Sequence, residues 1–190
     1  FLLKVSYKYN DLLTANRFGV KCDNPKFNWN EIQRRKAETI NGLSQGIEFL
    51  FKKNKIERKV GTATFKDLHS LTVKDRQGSE FELKADNYLI ATGSKPSTIA
   101  NVTIDEQVIC TSTGILALKQ VPKRLLVIGA GVIGLELGSV YKSLGSSVTF
   151  IEYGPTVLPE MDTDIVKEYQ SYLVKEGFQF HFNSDVLRGE

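Results

Sequence analysis

RLLVIGAGVIGLELGSVYKSLGSSVTFIE, residues 124–152, decides the fold. Residues 125–128 form an unbroken apolar run, the pattern of a parallel strand buried on both faces. Gly129, Gly131 and Gly134 follow at G-x-G-x-x-G spacing, and a second strand-like run ends on Glu152. Each glycine has a physical task. Gly129 allows a tight turn, Gly131 allows a pyrophosphate to approach the backbone, and Gly134 allows the following helix to pack closely. The free N–H groups of a helix starting near Val132 then point at phosphate, with the positive end of the helix dipole behind them. Strand, turn, helix, strand and terminal acid fall in one register, which gives an α/β fold and predicts nucleotide binding.

Downstream, Gly154-Pro155 and Leu158-Pro159 make turns. Asp162 or Thr163 can cap a helix carrying Ile165, Tyr169, Tyr172 and Leu173 on one face, stopped by Gly177. Phe178, Phe180 and Phe182 alternate as a strand. Upstream, Leu2, Val5, Tyr9, Leu12 and Leu13 recur at helical spacing. Asn28 can cap a second helix, with Glu31 as the reciprocal half of a capping box. Ile32, Lys36, Ile40, Leu43, Ile47 and Leu50 mark one face of that helix, from Trp29 to Lys53. Short strands follow at residues 60–65, 68–74 and 80–84, with a turn at Asp75-Arg76-Gln77-Gly78. Tyr88 to Ala91 reads as a further buried strand ending in Thr92-Gly93-Ser94, where small residues let something bulky approach; a plain loop is the alternative. A short helix near Ser112 to Leu118 leads into the glycine-turn strand.

The chain has 190 residues and a formal net charge of +3, too little to indicate a nucleic-acid partner. Lys52, Lys53, Lys55, Arg58 and Lys59 read as a solvated helix end. No apolar run is long enough for a membrane span. Cys22 and Cys110 match neither a metal site nor a redox pair and read as free thiols. His69 and His181 read as structural or exposed, and no metal site is expected.

The order of these pieces resembles the pyridine nucleotide–disulfide oxidoreductases, most closely the dihydrolipoamide dehydrogenases among them. The match rests on GIEFLFKKNKIERKVGTATF (46–65), NYLIATGSKP (87–96), STGILALKQVPKRLLVIGAGVIGLELGSVYKSLG (112–145) and GFQFHFNSDV (177–186). It implies an internal piece of a longer flavoprotein, with the redox disulfide before Phe1 and an acid/base histidine after Glu190. Residues 1–118 are then the later part of an FAD-binding domain, joined at 119–190 to the first part of a Rossmann-type NAD-binding domain with a parallel sheet. The implied reaction is reoxidation of dihydrolipoyl groups through the disulfide and FAD, with NAD⁺ as acceptor. The implied partners are the dihydrolipoyl domains of 2-oxoacid dehydrogenase or glycine cleavage complexes, and a second copy in a homodimer. A mitochondrial matrix location is implied, with cytoplasm or plastid as alternatives. Another disulfide reductase or a transhydrogenase of the family, or a non-catalytic nucleotide-binding piece, are the competing readings.

Residue by residue, the resemblance implies that Gly129, Ala130, Gly131, Val132, Ile133, Gly134, Leu135 and Glu136 cradle the NAD pyrophosphate and approach the nicotinamide. It implies that Glu152 accepts hydrogen bonds from the adenosine ribose and that Val186 packs on the adenine. Thr92, Gly93 and Ser94 would lie beside FAD, with Gly61 and Ala63 at its adenine end; Ala63 stands where the family commonly has glycine. Glu136 has two readings: a catalytic neighbour of the flavin–nicotinamide junction, or a first-turn acid complementing the helix dipole, worth about 0.3–1 kcal/mol. The choice of NAD over NADP rests on the residues themselves. Glu152 would repel a 2′-phosphate, and the first basic residue after it is Lys167.

Overall fold

The computed structural model describes residues 1–189, which form two compact units, Phe1–Thr39 with Pro96–Glu190, and Ile40–Lys95. The elements in order are α1 (Leu2–Thr14), a short 3-10 helix (Ala15–Phe18), α2 (Trp29–Lys53), β1 (Thr62–Phe65), β2 (Ser70–Lys74) and β3 (Glu80–Lys84). Then come α3 (Ser112–Leu116), β4 (Arg124–Ile128), α4 (Val132–Ser143), β5 (Ser147–Ile151), α5 (Thr163–Lys175) and β6 (Gln179–His181). Helix α2 begins in the first unit and continues into the second. Among the described residues no helix is long and apolar enough to cross a membrane.

In the first unit, β4, β5 and β6 form a parallel sheet in that order, with Val127 opposite Phe150 and Phe150 opposite Phe180. These registers place Leu125, Val127, Val148, Phe150 and Phe180 on one face. Leu135 of α4 and Val166 and Leu173 of α5 close a core over that face, with Val157 and Phe178 beside them. The opposite flank of α4 makes a second core, where Val140, Tyr141 and Leu144 meet Leu2, Trp29 and Ile32. Helix α4 is therefore buried along two sides, which explains why VIGLELGSVY is apolar nearly all round.

Tyr141 is fully buried in the second core and its hydroxyl donates to the Ile115 carbonyl. Trp29 Nε1 donates to the Leu118 carbonyl over 2.8 Å, so both large aromatics satisfy their polar atoms on the α3 segment. Burial, and secondarily the nearby Cys110, pushes the Tyr141 phenol up to about 12 from an ordinary 10.0. The folded state therefore keeps this proton where the unfolded chain has lost it. The contribution is complete below pH 10 and is lost as pH rises toward 12. Tyr141→Phe is expected to cost about 1–2 kcal/mol at neutral pH by urea denaturation. The variant should also lose less stability than the parent between pH 10 and 12; equal losses would exclude Tyr141 as the titrating group.

Three local expectations are corrected. The run at 125–128 is covered on one face only, with Leu126 57% and Ile128 43% exposed, because α4 and α5 both pack on the Val127–Phe150 side. On α5 the inward face is Val166, Tyr169 and Leu173; Ile165 and Tyr172 are exposed. Positions 166, 169 and 173 follow the helical repeat, and the two exposed residues lie on its flank. Glu31 does not complete a capping box. Its N–H donates to Asn28 Oδ1 at 3.1 Å, but its carboxylate binds Arg34 and Arg35, which hold its pKa down at about 2.

The second unit is an antiparallel meander, β1-β2-β3, with Ala63 opposite Val73 and Thr72 opposite Glu82. Asp75 holds the β2–β3 turn by accepting from the N–H groups of Gln77 and Ser79 at 2.8 and 2.9 Å. Ile40, Leu43, Ile47 and Leu50 of α2 are exposed. The strand expected at Tyr88 to Ala91 does not form, and Leu89 and Ile90 are 91% and 71% exposed. A buried strand needs a ladder partner, and none of the described strands pairs with this run.

Candidate nucleotide-binding site

The carboxyl ends of the three parallel strands converge on the glycine turn. Gly129 leaves β4 with φ +94°, a conformation that L side chains resist, and donates its N–H to the Ile151 carbonyl at 2.8 Å. Ala130 is completely buried; its carbonyl accepts from the Leu158 N–H at 3.1 Å. Gly131 is the N-cap of α4 in extended backbone, and no side chain caps the helix start. A Cβ at Gly131 would meet nothing within 4 Å, so the absence of a side chain there leaves the helix N-terminus open to a ligand. A Cβ at Gly134 would lie 2.6 Å from the Gly129 carbonyl oxygen and 3.2 Å from Val127 Cγ1. The three glycines thus divide into one for conformation, one for access and one for close packing.

Glu152 follows β5, and its carboxylate faces the turn. Ala130 N–H donates to Glu152 Oε2 at 2.7 Å, and Gly154 N–H donates to Oε1 at 2.7 Å. The end of β6 is tied to the same place. Glu152 N–H reaches the His181 carbonyl, Ser184 N–H reaches the Glu152 carbonyl, and Asn183 N–H reaches the Gly154 carbonyl, at 2.8, 3.0 and 3.0 Å. Half-buried Val186 continues this segment. Val132 and Ile133 are exposed at the mouth of the turn, and Leu135 lies in the sheet core. Glu136 is exposed on α4. It acts on Tyr169 of α5, whose phenol is pushed up by burial first and then by Tyr7, Tyr172 and Glu136.

The residues predicted to meet a flavin behave differently. Ala63 is exposed on β1, while Thr92, Gly93 and Ser94 lie in an exposed stretch with Gly93 at φ +73°. A Cβ at Gly61 would lie 2.5 Å from the Lys74 carbonyl oxygen, so strand packing alone requires glycine there. Cys22 and Cys110 are unpaired, and burial, followed by Glu106 and Asp105, pushes the Cys110 thiol up and away from thiolate chemistry.

Sequence reading missed two contributors. Gly138, one helical turn after Gly134, lets the Phe150 ring approach α4, since a Cβ there would lie 2.6 Å from Phe150 Cζ. Its i+4 spacing from Gly134 was a readable signal. Gly154 acts through a backbone N–H, which leaves no signature in side-chain chemistry.

A parallel sheet, a glycine turn opening a helix at its carboxyl edge, and an acid just after the next strand define a Rossmann-type α/β protein. The family described as pyridine nucleotide-disulphide oxidoreductase matches residues 8–190, and the chain belongs to that family. It is 43% identical over 192 residues to a dihydrolipoamide dehydrogenase of Chaetomium thermophilum, a match covering 100% of this chain and 38% of that protein. It is 40% identical over 186 residues to a mitochondrial dihydrolipoyl dehydrogenase of Dictyostelium discoideum, covering 97% of this chain and 38% of the relative. The crystal structure of LpdA from Mycobacterium tuberculosis superposes with a TM-score of 0.87 at 23% identity, covering 98% of this chain and 41% of that one, and supports the fold. The chain therefore spans less than two fifths of the length of these two sequence relatives.

Proposed function

We propose that this chain carries the NAD site of a flavin-dependent dihydrolipoyl dehydrogenase. The observation that carries the reading is the Glu152 carboxylate fixed against the Ala130 N–H at the glycine turn. On this reading Gly129, Ala130, Gly131, Val132, Ile133 and Gly134 hold the pyrophosphate, with the N–H groups of α4 as donors. Leu135 braces the turn from the sheet core. Glu152 accepts from the adenosine ribose, Val186 flanks the adenine, and Glu136 lies toward the nicotinamide. NAD⁺ bound there would supply the acceptor for a hydride equivalent. The chain's own part is to orient the nucleotide and to place a negative charge where NADP would carry its 2′-phosphate.

FAD, the redox disulfide and dihydrolipoyl substrates enter the proposal from family membership and the relatives' names. So do the dihydrolipoyl domains of 2-oxoacid dehydrogenase or glycine cleavage complexes as partners, and a homodimer. A mitochondrial matrix setting draws on names such as that of the Dictyostelium relative. The flavin is assigned to residues 1–118, through Gly61, Ala63, Thr92, Gly93 and Ser94, and NAD to 119–190. When bound, the flavin would supply the two-electron relay between dithiol and nicotinamide. The competing reading is a non-catalytic nucleotide-binding piece. Visible flavin absorbance in the purified protein supports the first reading, and a colourless protein that binds NADH supports the second.

Glu152→Ala is expected to weaken NADH binding by about 10–100-fold, the worth of hydrogen bonds to a charged acceptor, and to leave any flavin content unchanged. Titration calorimetry measures the first and the visible spectrum the second. Unchanged NADH affinity would remove the ribose assignment.

A further inference from the structure

A glutamate that reads a vicinal diol has to present its carboxylate in one plane, and a free side chain on a loop end has several torsions to immobilise first. Here both oxygens are already held, Oε2 by the Ala130 N–H and Oε1 by the Gly154 N–H, each at 2.7 Å. These lengths are those of charge-assisted bonds. Each oxygen keeps a further lone pair for a ligand hydroxyl. Gly154 is held on its other side as well, since its carbonyl accepts from Asn183 N–H at 3.0 Å, beyond the end of β6. Gly154 does not need a left-handed backbone, as it is absent from the positive-φ glycines. A Cβ there would lie 3.3 Å from Glu152 Oε1, so a side chain would press lightly on the carboxylate.

We infer that Gly154 is a positioning residue of the nucleotide site: its N–H, paired with that of Ala130, sets the plane of the Glu152 carboxylate before the nucleotide arrives. The inference rests on reading Glu152 as the contact to the NAD adenosine ribose. It adds a second role for the same carboxylate, which ties the glycine turn after β4 to the loop after β5.

The test is a double-mutant cycle with NADH as the titrated ligand. Gly154→Pro removes the N–H donor and is expected to lower NADH affinity about tenfold, while Gly154→Ala, which keeps the donor, stays within about threefold of the parent. In a Glu152→Ala background Gly154→Pro should change affinity by less than about twofold, because the residue acts through that carboxylate. Equal losses in both backgrounds, or a loss from Gly154→Ala as large as from Gly154→Pro, would overturn the inference. Glu152→Gln gives a readout that does not depend on the proline variant folding. Two backbone N–H groups face this side chain, so an amide must turn its NH₂ toward one of them, and E152Q should bind NADH as poorly as E152A. Parent-like affinity in E152Q would also overturn the inference. A parent-like E152A, by contrast, would show that the ribose reading itself is wrong.

Discussion

Gly134→Ala is expected to abolish measurable NADH binding and to destabilise the first unit by about 1–3 kcal/mol, an overpacking cost. The added Cβ would lie 2.6 Å from the Gly129 carbonyl oxygen, a backbone atom with little room to withdraw. Gly129 is tied to Ile151 through its own N–H at 2.8 Å, and the Ala130 carbonyl is tied to Leu158 at 3.1 Å. Relief must therefore come from moving the start of α4 away from the turn. That movement re-aims the N–H groups proposed to receive the pyrophosphate. Gly131→Ala separates this effect from ligand access. Its Cβ meets nothing within 4 Å, so the melting temperature should hold while NADH affinity falls. Thermal melts and calorimetric titration of the two variants decide the matter. If Gly134→Ala keeps the parent's stability and affinity, the close packing of turn and helix has no energetic weight.

Much of this arrangement was legible in the sequence because its signals are local. Glycine spacing placed the start of α4 at Val132, and the acid at 152 marked the end of β5, where the structure has Ile151. The boundaries of α2 and the cap of α5 at Asp162 follow likewise from short-range patterns. What escaped depends on partners far along the chain. An apolar run such as 125–128 reads the same whether one face or both are covered. Only the positions of α4 and α5, both over Val127 and Phe150, show that Leu126 and Ile128 face outward. Tyr88 to Ala91 is apolar enough for a strand but has no ladder to join among the described strands. The clamp on Glu152 was invisible for a different reason. Its donors are peptide N–H groups of Ala130 and Gly154, which any residue other than proline supplies equally.

Phe150→Ala is expected to cost about 3–5 kcal/mol, a large share of a typical domain's stability of about 5–15 kcal/mol. Phe150 is fully buried at the centre of the parallel sheet. Its ring stacks on Phe180 at 5.0 Å between centroids and meets Phe178 at 6.0 Å, so one side chain joins β5 to β6 and to the chain leaving α5. It also fills the notch left by Gly138 on α4, where a Cβ would come within 2.6 Å of the ring. These contacts make the two positions non-additive. Gly138→Ala alone should destabilise by about 1–3 kcal/mol, because the ring cannot move without disturbing the Phe180 stack. In the Phe150→Ala background the same methyl enters a cavity, and its cost should vanish or reverse sign. Glu152 lies two positions beyond Phe150, so loss of the ring loosens the strand that presents the carboxylate, and NADH affinity should fall with stability. Urea denaturation of the four members of this cycle measures the coupling. Strictly additive costs would mean that Phe150 and Gly138 do not share one packing constraint, and that the strand carrying Glu152 is held against α4 by other contacts.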